Sequence, residues 1–265
     1  MLIKFIYNMF SINYLKFLYG EHEMMSILAF RNMGMKKINH ERKTAIIVGI
    51  LFLIATVILI VGGVFSLCIY EDNYLSIVST NENQIIFGAL LEIVSTAAIV
   101  GIPIAMFPLL KKYSETLALS YVATRIFEGL TIFLNTIVLL AILSLSKEYV
   151  ASPIGSDVFF YPASGDMLLA IREWGSLLVD VSFPLGAVIF NYLLLKTKIT
   201  PRWLALLGLI GGALWFATTP IRMFGFSPEW MEFLAAPIAF QEMILATWLI
   251  VKGFNHPEGQ KIEVK

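Results

Sequence analysis

Cysteine, histidine and charge are all scarce in this chain. Cys68 is the only cysteine among 265 residues, so an intrachain disulfide cannot form and a cysteine-based metal site cannot be built. The three histidines, His22, His40 and His256, all lie outside the long apolar runs. That placement removes the paired-histidine arrangement of a membrane metalloprotease. No nucleophile elbow and no phosphate-binding glycine loop occurs. An intramembrane aspartate pair is also missing, because Asp180 is the only aspartate inside an apolar run. Charged residues make up 14% of the chain and the formal net charge is zero. A nucleic-acid partner would need a clustered basic face, and none is present. The sequence is read as that of a non-enzyme without cofactor or metal.

What the chain has in excess is apolar surface. Hydrophobic residues account for 58% of it and mean hydropathy is +0.80, whereas soluble domains carry roughly 45–50% apolar and about 25% charged residues. A soluble fold of this length has too little interior for that excess, so the lipid bilayer is the expected solvent. A spanning helix needs about 20 apolar residues to cross about 30 Å of hydrocarbon. Six segments qualify: 45–69, 85–110, 117–145, 167–195, 203–219 and 233–251. In hydrocarbon every backbone amide must be satisfied within the segment, and the alternating pattern of a barrel strand is absent. The expected fold class is therefore all-α, a polytopic bundle of six transmembrane helices.

Basic residues orient the bundle. Of the 19 Lys and Arg, Lys147 and Arg222 fall in loops on one side, and Arg125 and Arg172 fall within spans. All the rest flank the spans on the side of the N-terminus. Positive flanks stay cytoplasmic, so a multi-pass protein of the cytoplasmic membrane with both termini inside is expected. The longest connection, Ser146 to Asp166, contains Pro153, Gly155, Pro162 and Gly165 and reads as a loop on the outer side. Residues 1–34 form an N-terminal extension with two readings: an interfacial helix, or a stretch ahead of a translation start at Met35. Residues 35–254 are the transmembrane domain, and 255–265 a polar cytoplasmic tail.

Between Met35 and Phe254 the chain resembles the bacterial polytopic membrane proteins catalogued as domain-of-unknown-function family 4386. The resemblance rests on Arg42-Lys43-Thr44-Ala45, Asn81-Glu82-Asn83-Gln84 leading to Gly88-Ala89-Leu90-Leu91-Glu92, and Pro108-Leu109-Leu110-Lys111-Lys112-Tyr113. It continues through Arg125-Ile126-Phe127-Glu128, Pro201-Arg202-Trp203-Leu204, Gln241-Glu242-Met243 and Trp248 to Phe254. The family has no assigned activity, so the resemblance implies a bacterial membrane protein and no particular chemistry.

Candidate functional residues are the ionisable groups inside the spans, since each costs roughly 2.5–3.5 kcal/mol at a helix centre. They are Glu92, Glu128, Glu173, Asp180 and Glu242, with Arg125 and Arg172. Arg172 and Glu173 lie near a helix end, from which they are expected to snorkel to the headgroups. Glu128, Asp180 and Glu242 fall near mid-helix and must face protein or a water-filled cavity. Tyr121, Arg125, Glu128 and Asn135 recur at helical spacing and predict one polar stripe on the third span. Glu173, Ser176 and Asp180 predict another on the fourth, and Glu92, Ser95 and Thr96 one on the second. Arg125 is expected to pair with Glu128 one turn away or, across helices, with Asp180 or Glu242.

Two readings follow. In one, the charges are ion pairs that only pack helices in a membrane interaction or regulatory subunit. In the other, Glu128, Asp180, Glu242, Arg125 and Glu92 form a transporter-like midplane site for a proton, a cation or a small polar ligand. Pro103, Pro108 and Pro184 are expected to bend or interrupt their helices. Gly208 and Gly212 are expected to mark a close helix contact.

Overall fold

A computed structural model describes residues 40–152 and 159–255; the N-terminal extension and residues 256–265 of the tail lie outside the described residues. The chain divides into two compact units after Thr44. Of the first unit only His40–Thr44 are described, an opening helical turn in which Thr44 Oγ1 donates to the His40 carbonyl at 3.1 Å.

Every regular element among the described residues is helical. The helices are α1 (His40–Phe65), α2 (Tyr74–Thr80), α3 (Glu82–Leu110), α4 (Glu115–Ala151), α5 (Phe160–Thr197), α6 (Arg202–Met223) and α7 (Ala236–Val251). A 3-10 turn, Leu67–Tyr70, follows α1, and another, Glu229–Ala235, leads into α7. Among the described residues six helical segments are long and apolar enough to cross a membrane, the last running from Glu229 through the 3-10 turn and α7 to Val251; α2 is the short exception.

Sequence neighbours pack as neighbours in space: α3 on α1, then α4, α5, α6 and α7 in turn. The ring closes where α7 meets α1. A Cβ built on Gly49 would lie 2.7 Å from both the Ala246 carbonyl oxygen and Ile250 Cγ1, so only glycine lets these two backbones come so close. Lipid tails are as apolar as leucine, so helices in a bilayer associate through close packing and interhelical hydrogen bonds. Gly62 and Gly88 act in the same way between α1 and α3: a Cβ built on either would lie just over 3 Å from the other's carbonyl oxygen. Gly208 sits on the amide of Asn191, and Gly212 meets the backbone of α5 at Pro184.

Three local features depart from the sequence expectations. First, α1 contains a π-helical segment, Ile54–Ile58. Second, α3 and α5 run through Pro103, Pro108 and Pro184 without ending. Third, most of the expected outer loop is helix, because α4 continues to Ala151 and α5 already begins at Phe160. Pro162 is compatible with that start because the first turn of a helix has no use for its amide hydrogens. At 1.5 Å per residue, α4 and α5 are each about 55 Å long, well beyond the hydrocarbon. Their overhang is braced by α2: Ser146 Oγ donates to the Leu75 carbonyl, and Cys68, Ile69 and Val78 pack against Leu139, Ile142 and Leu143.

Candidate functional site: ion pairs buried in the bundle

The expected single midplane cluster resolves into three groups at different depths. In the innermost, Arg125 Nη1 donates to Glu128 Oε2 at 2.9 Å, one turn along α4. Both residues are 3% exposed. Glu242 of α7, 8% exposed, enters the same field and interacts with both Arg125 and Glu128. Its Oε2 accepts from Thr56 Oγ1 of the π segment at 3.1 Å. The Phe183 ring of α5 faces the Arg125 guanidinium at 5.8 Å. Arg125 and Glu128 lie about 15 and 20 Å along α4 from its start, and Glu242 about 14 Å from the end of α7, taking 1.5 Å per residue. In a core of about 30 Å these are midplane depths.

The second group lies about 12 Å further along α4. Glu92 of α3 accepts from Arg172 Nη2 at 2.6 Å and from Thr136 Oγ1 at 2.7 Å. Arg172 Nη1 also donates to the Asn135 carbonyl at 2.6 Å, and Asn135 Nδ2 reaches Ser176 Oγ at 3.3 Å. Arg172 is therefore buried and paired inside the bundle, whereas the sequence placed it at the headgroups. Its neighbour Glu173 is the exposed one. A residue count cannot say which face of a helix end meets protein, and the overhang of α4 and α5 keeps this level covered.

The third group joins α5 to the end of α6. Asp180 accepts from Arg222 Nη1 at 2.5 Å and from Trp215 Nε1 at 3.2 Å. Arg222 also approaches Glu232 at 3.5 Å and faces the Trp215 ring at 5.2 Å. Read from sequence, Arg222 belonged to an outer loop; α6 instead extends to Met223 and carries it as a last-turn cation. The signal for this was present, since Arg222 falls at helical spacing from Trp215 and Thr218, but the apolar run stops earlier.

The structure thus joins Arg125, Glu128 and Glu242 and gives Asp180 and Glu92 separate partners. In two of the three groups a carboxylate touches an arginine directly, Glu92 with Arg172 and Asp180 with Arg222; the second acid near Arg222, Glu232, is exposed. In the first group, Glu128 touches the guanidinium, and a second buried carboxylate, Glu242, bonded to Thr56, lies within its electrostatic reach. Arg125 Nε, like Arg222 Nε of the third group, is buried with no acceptor among the described residues. Among those residues, no three His, Cys, Asp or Glu side chains converge as a metal site would require.

Fold and site together define a multi-pass helical membrane protein that keeps its ionisable groups inside the bundle. Residues 47–253 match the family model described as domain of unknown function (DUF4386), and the chain belongs to that family. No curated protein and no solved structure matches it.

Proposed function

We propose that the protein binds a proton or a small cation at the Arg125–Glu128–Glu242 cluster and acts by binding or translocation, not catalysis. The observation that carries this reading is the charge balance of a site closed to solvent. With both acids ionised, one guanidinium leaves a net charge of −1 at midplane depth, where uncompensated charge is strongly disfavoured. One bound proton or monovalent cation makes the group neutral. The free Arg125 Nε–H remains as a donor for an acceptor that accompanies the bound species. The π segment that supplies Thr56 supports the same reading, because such bulges are frequent at functional positions within helices.

The packing reading applies to the other charges. Glu92–Arg172 and Asp180–Arg222 are direct ion pairs with additional hydrogen bonds from Thr136 and Trp215, and the second acid near Arg222, Glu232, is exposed to solvent or headgroups, which is what a structural role requires. We further propose a bacterial cytoplasmic membrane with both termini inside. The support is the asymmetry of Lys and Arg, together with the ion pairing of both cations assigned to the opposite side: Lys147 to Glu82 at 2.6 Å, and Arg222 to Asp180.

A membrane-permeant carbodiimide attaches to carboxyl groups that hold a proton, and peptide mass spectrometry locates it. Labelling at Glu128 or Glu242 that competes with monovalent cations and declines from pH 5 to 9 is the expected result. In Glu242→Gln the remaining acid has Arg125 to itself, and its labelling should disappear. If neither acid is modified at any pH and no cation alters thermal stability, both carboxylates are permanently ionised and the proposal fails.

A further inference from the structure

The surroundings of the midplane cluster differ in its two directions. Toward the face that carries α2, buried polar side chains continue from it. Thr56 and Ala55 lie in the π segment of α1, and Ser95 Oγ of α3 donates to the Ala55 carbonyl at 2.7 Å. One turn along α3 from Ser95 is Glu92, held by Thr136 and Arg172. Asn135 then leads from Arg172 to Ser176, which is exposed. The polar groups occupy successive levels on α1, α3, α4 and α5.

Toward the face where α1 begins, the cluster meets three rings. Tyr121 stacks on Phe190 with centroids 4.7 Å apart and planes 10° from parallel, and Phe190 stacks on Phe52 at 5.9 Å. These rings come from α4, α5 and α1 and are buried. Below them lie Val48, Met106, Ala118, Leu193 and Leu249, all buried in one apolar cluster. One polar pair sits near the level of the stack: Gln241 Nε2 donates to Asn191 Oδ1 at 3.0 Å. Asn191 Nδ2 donates in turn to the Ala187 carbonyl at 2.9 Å, and Gly208 presses against the same amide. Gln241 and Asn191 are both amides, which do not readily take up or release a proton, and the next layer is Leu194 and Leu204.

We infer that the midplane cluster exchanges protons with the α2 face alone, through the polar level of Thr56 and Ser95, and that the Tyr121–Phe190–Phe52 stack with the apolar layer below it closes the opposite route. This rests on the proton reading of the cluster. The charged and titratable groups facing Glu128 and Glu242 are Arg125 and Tyr121 of α4. Glu92 is faced by Arg172 of α5. No proton crosses the whole membrane in this arrangement: Tyr121 is the last hydroxyl-bearing side chain of the stack, and Phe190, Phe52 and the apolar layer of Val48, Met106, Ala118, Leu193 and Leu249 offer no group that can pass one on. The arrangement is a solvent-closed site with a polar connection toward one side only, the asymmetry that alternating access requires of one of its states.

Removing the stack should turn the one-sided site into a leak. Purified full-length protein would be reconstituted in vesicles holding an entrapped pH dye, with a pH step imposed outside. Parent vesicles should keep the gradient as protein-free vesicles do. Phe190→Ala vesicles should dissipate it several-fold faster, and adding Ser95→Ala or Glu242→Gln should return the rate to that of the parent. Phe190→Leu, which keeps an apolar side chain and most of the volume but not the stack, serves if the alanine variant fails to fold. A tight Phe190→Ala or Phe190→Leu protein overturns the inference, as does a leak that Ser95→Ala and Glu242→Gln leave unchanged. Carbodiimide labelling of the parent separates the two ideas. Labelled acids with a tight stack variant refute one-sided access only, and unlabelled acids refute the proton site itself.

Discussion

Arg125 shows most directly how one residue constrains the rest. It holds its charge in a nearly solvent-free position only because Glu128 is one turn away and Glu242 is within its field. Breaking a buried pair by removing one partner strands the other, at about 3–5 kcal/mol. Arg125→Met should therefore melt far below the parent in detergent, and Arg125→Met combined with Glu128→Gln should recover much of the loss. A single variant as stable as the parent would mean that the two acids do not need the arginine. Outside the spans, Tyr74 offers a pH test. Burial, then the charge of Asp166, then the hydrogen bond from the Tyr74 hydroxyl to Asp166 at 3.4 Å, push its ionisation from 10.0 up to about 12. Since the folded state holds this proton more tightly, the associated stability is present below pH 10 and is lost as pH rises toward 12. An ultraviolet titration of the parent against Tyr74→Phe should show one phenol ionising in that window. Asp166→Asn should move it only part of the way back, because burial is the larger cause.

Among the elements, α1 combines the tightest contact with the least regular backbone. Gly49 allows α1 to touch α7, and that contact places Thr56 against Glu242. A side chain at position 49 would be forced against the Ala246 backbone carbonyl, which cannot rotate away. Overpacking of this kind costs about 1–3 kcal/mol, so Gly49→Val should lower the melting temperature. It should also weaken carbodiimide labelling at Glu242 by shifting α1 away from it; unchanged labelling would show that the cluster does not depend on this contact. The six long segments were legible as helices because each is apolar for about the length that hydrocarbon demands. The stripe Tyr121, Arg125, Glu128, Asn135 was legible too, and all four are buried on α4. The π segment was not, since Ile-Ala-Thr-Val-Ile carries no local signal that separates it from ordinary helix. The helical overhang at 146–151 and 160–166 was missed because proline and glycine read as loop markers while α2 supports those turns from outside the sequence window.

For the whole molecule, an even number of spans returns the chain to the side from which it started, and the distribution of basic residues sets which side that is. A reporter that fluoresces only in the cytoplasm should be active when fused after Lys265. One that works only beyond the membrane should be active when inserted between Ser152 and Phe159. The reverse pattern would overturn the proposed orientation. The apolar excess and the length of the six runs determined, without any structure, that the chain is a helical membrane bundle, because hydrocarbon permits little else. The same composition marked Glu92, Glu128, Asp180 and Glu242 as costly enough to need partners. Which partners they take was decided only by the fold. Arg172 turns inward to Glu92, Arg222 is carried by α6 to Asp180, and Glu242 is left buried beside an arginine that already pairs with Glu128. Pairing across helices depends on helix rotation and depth, which are set by contacts such as Gly49 with Ala246 between residues far apart in the chain, and no local pattern encodes them.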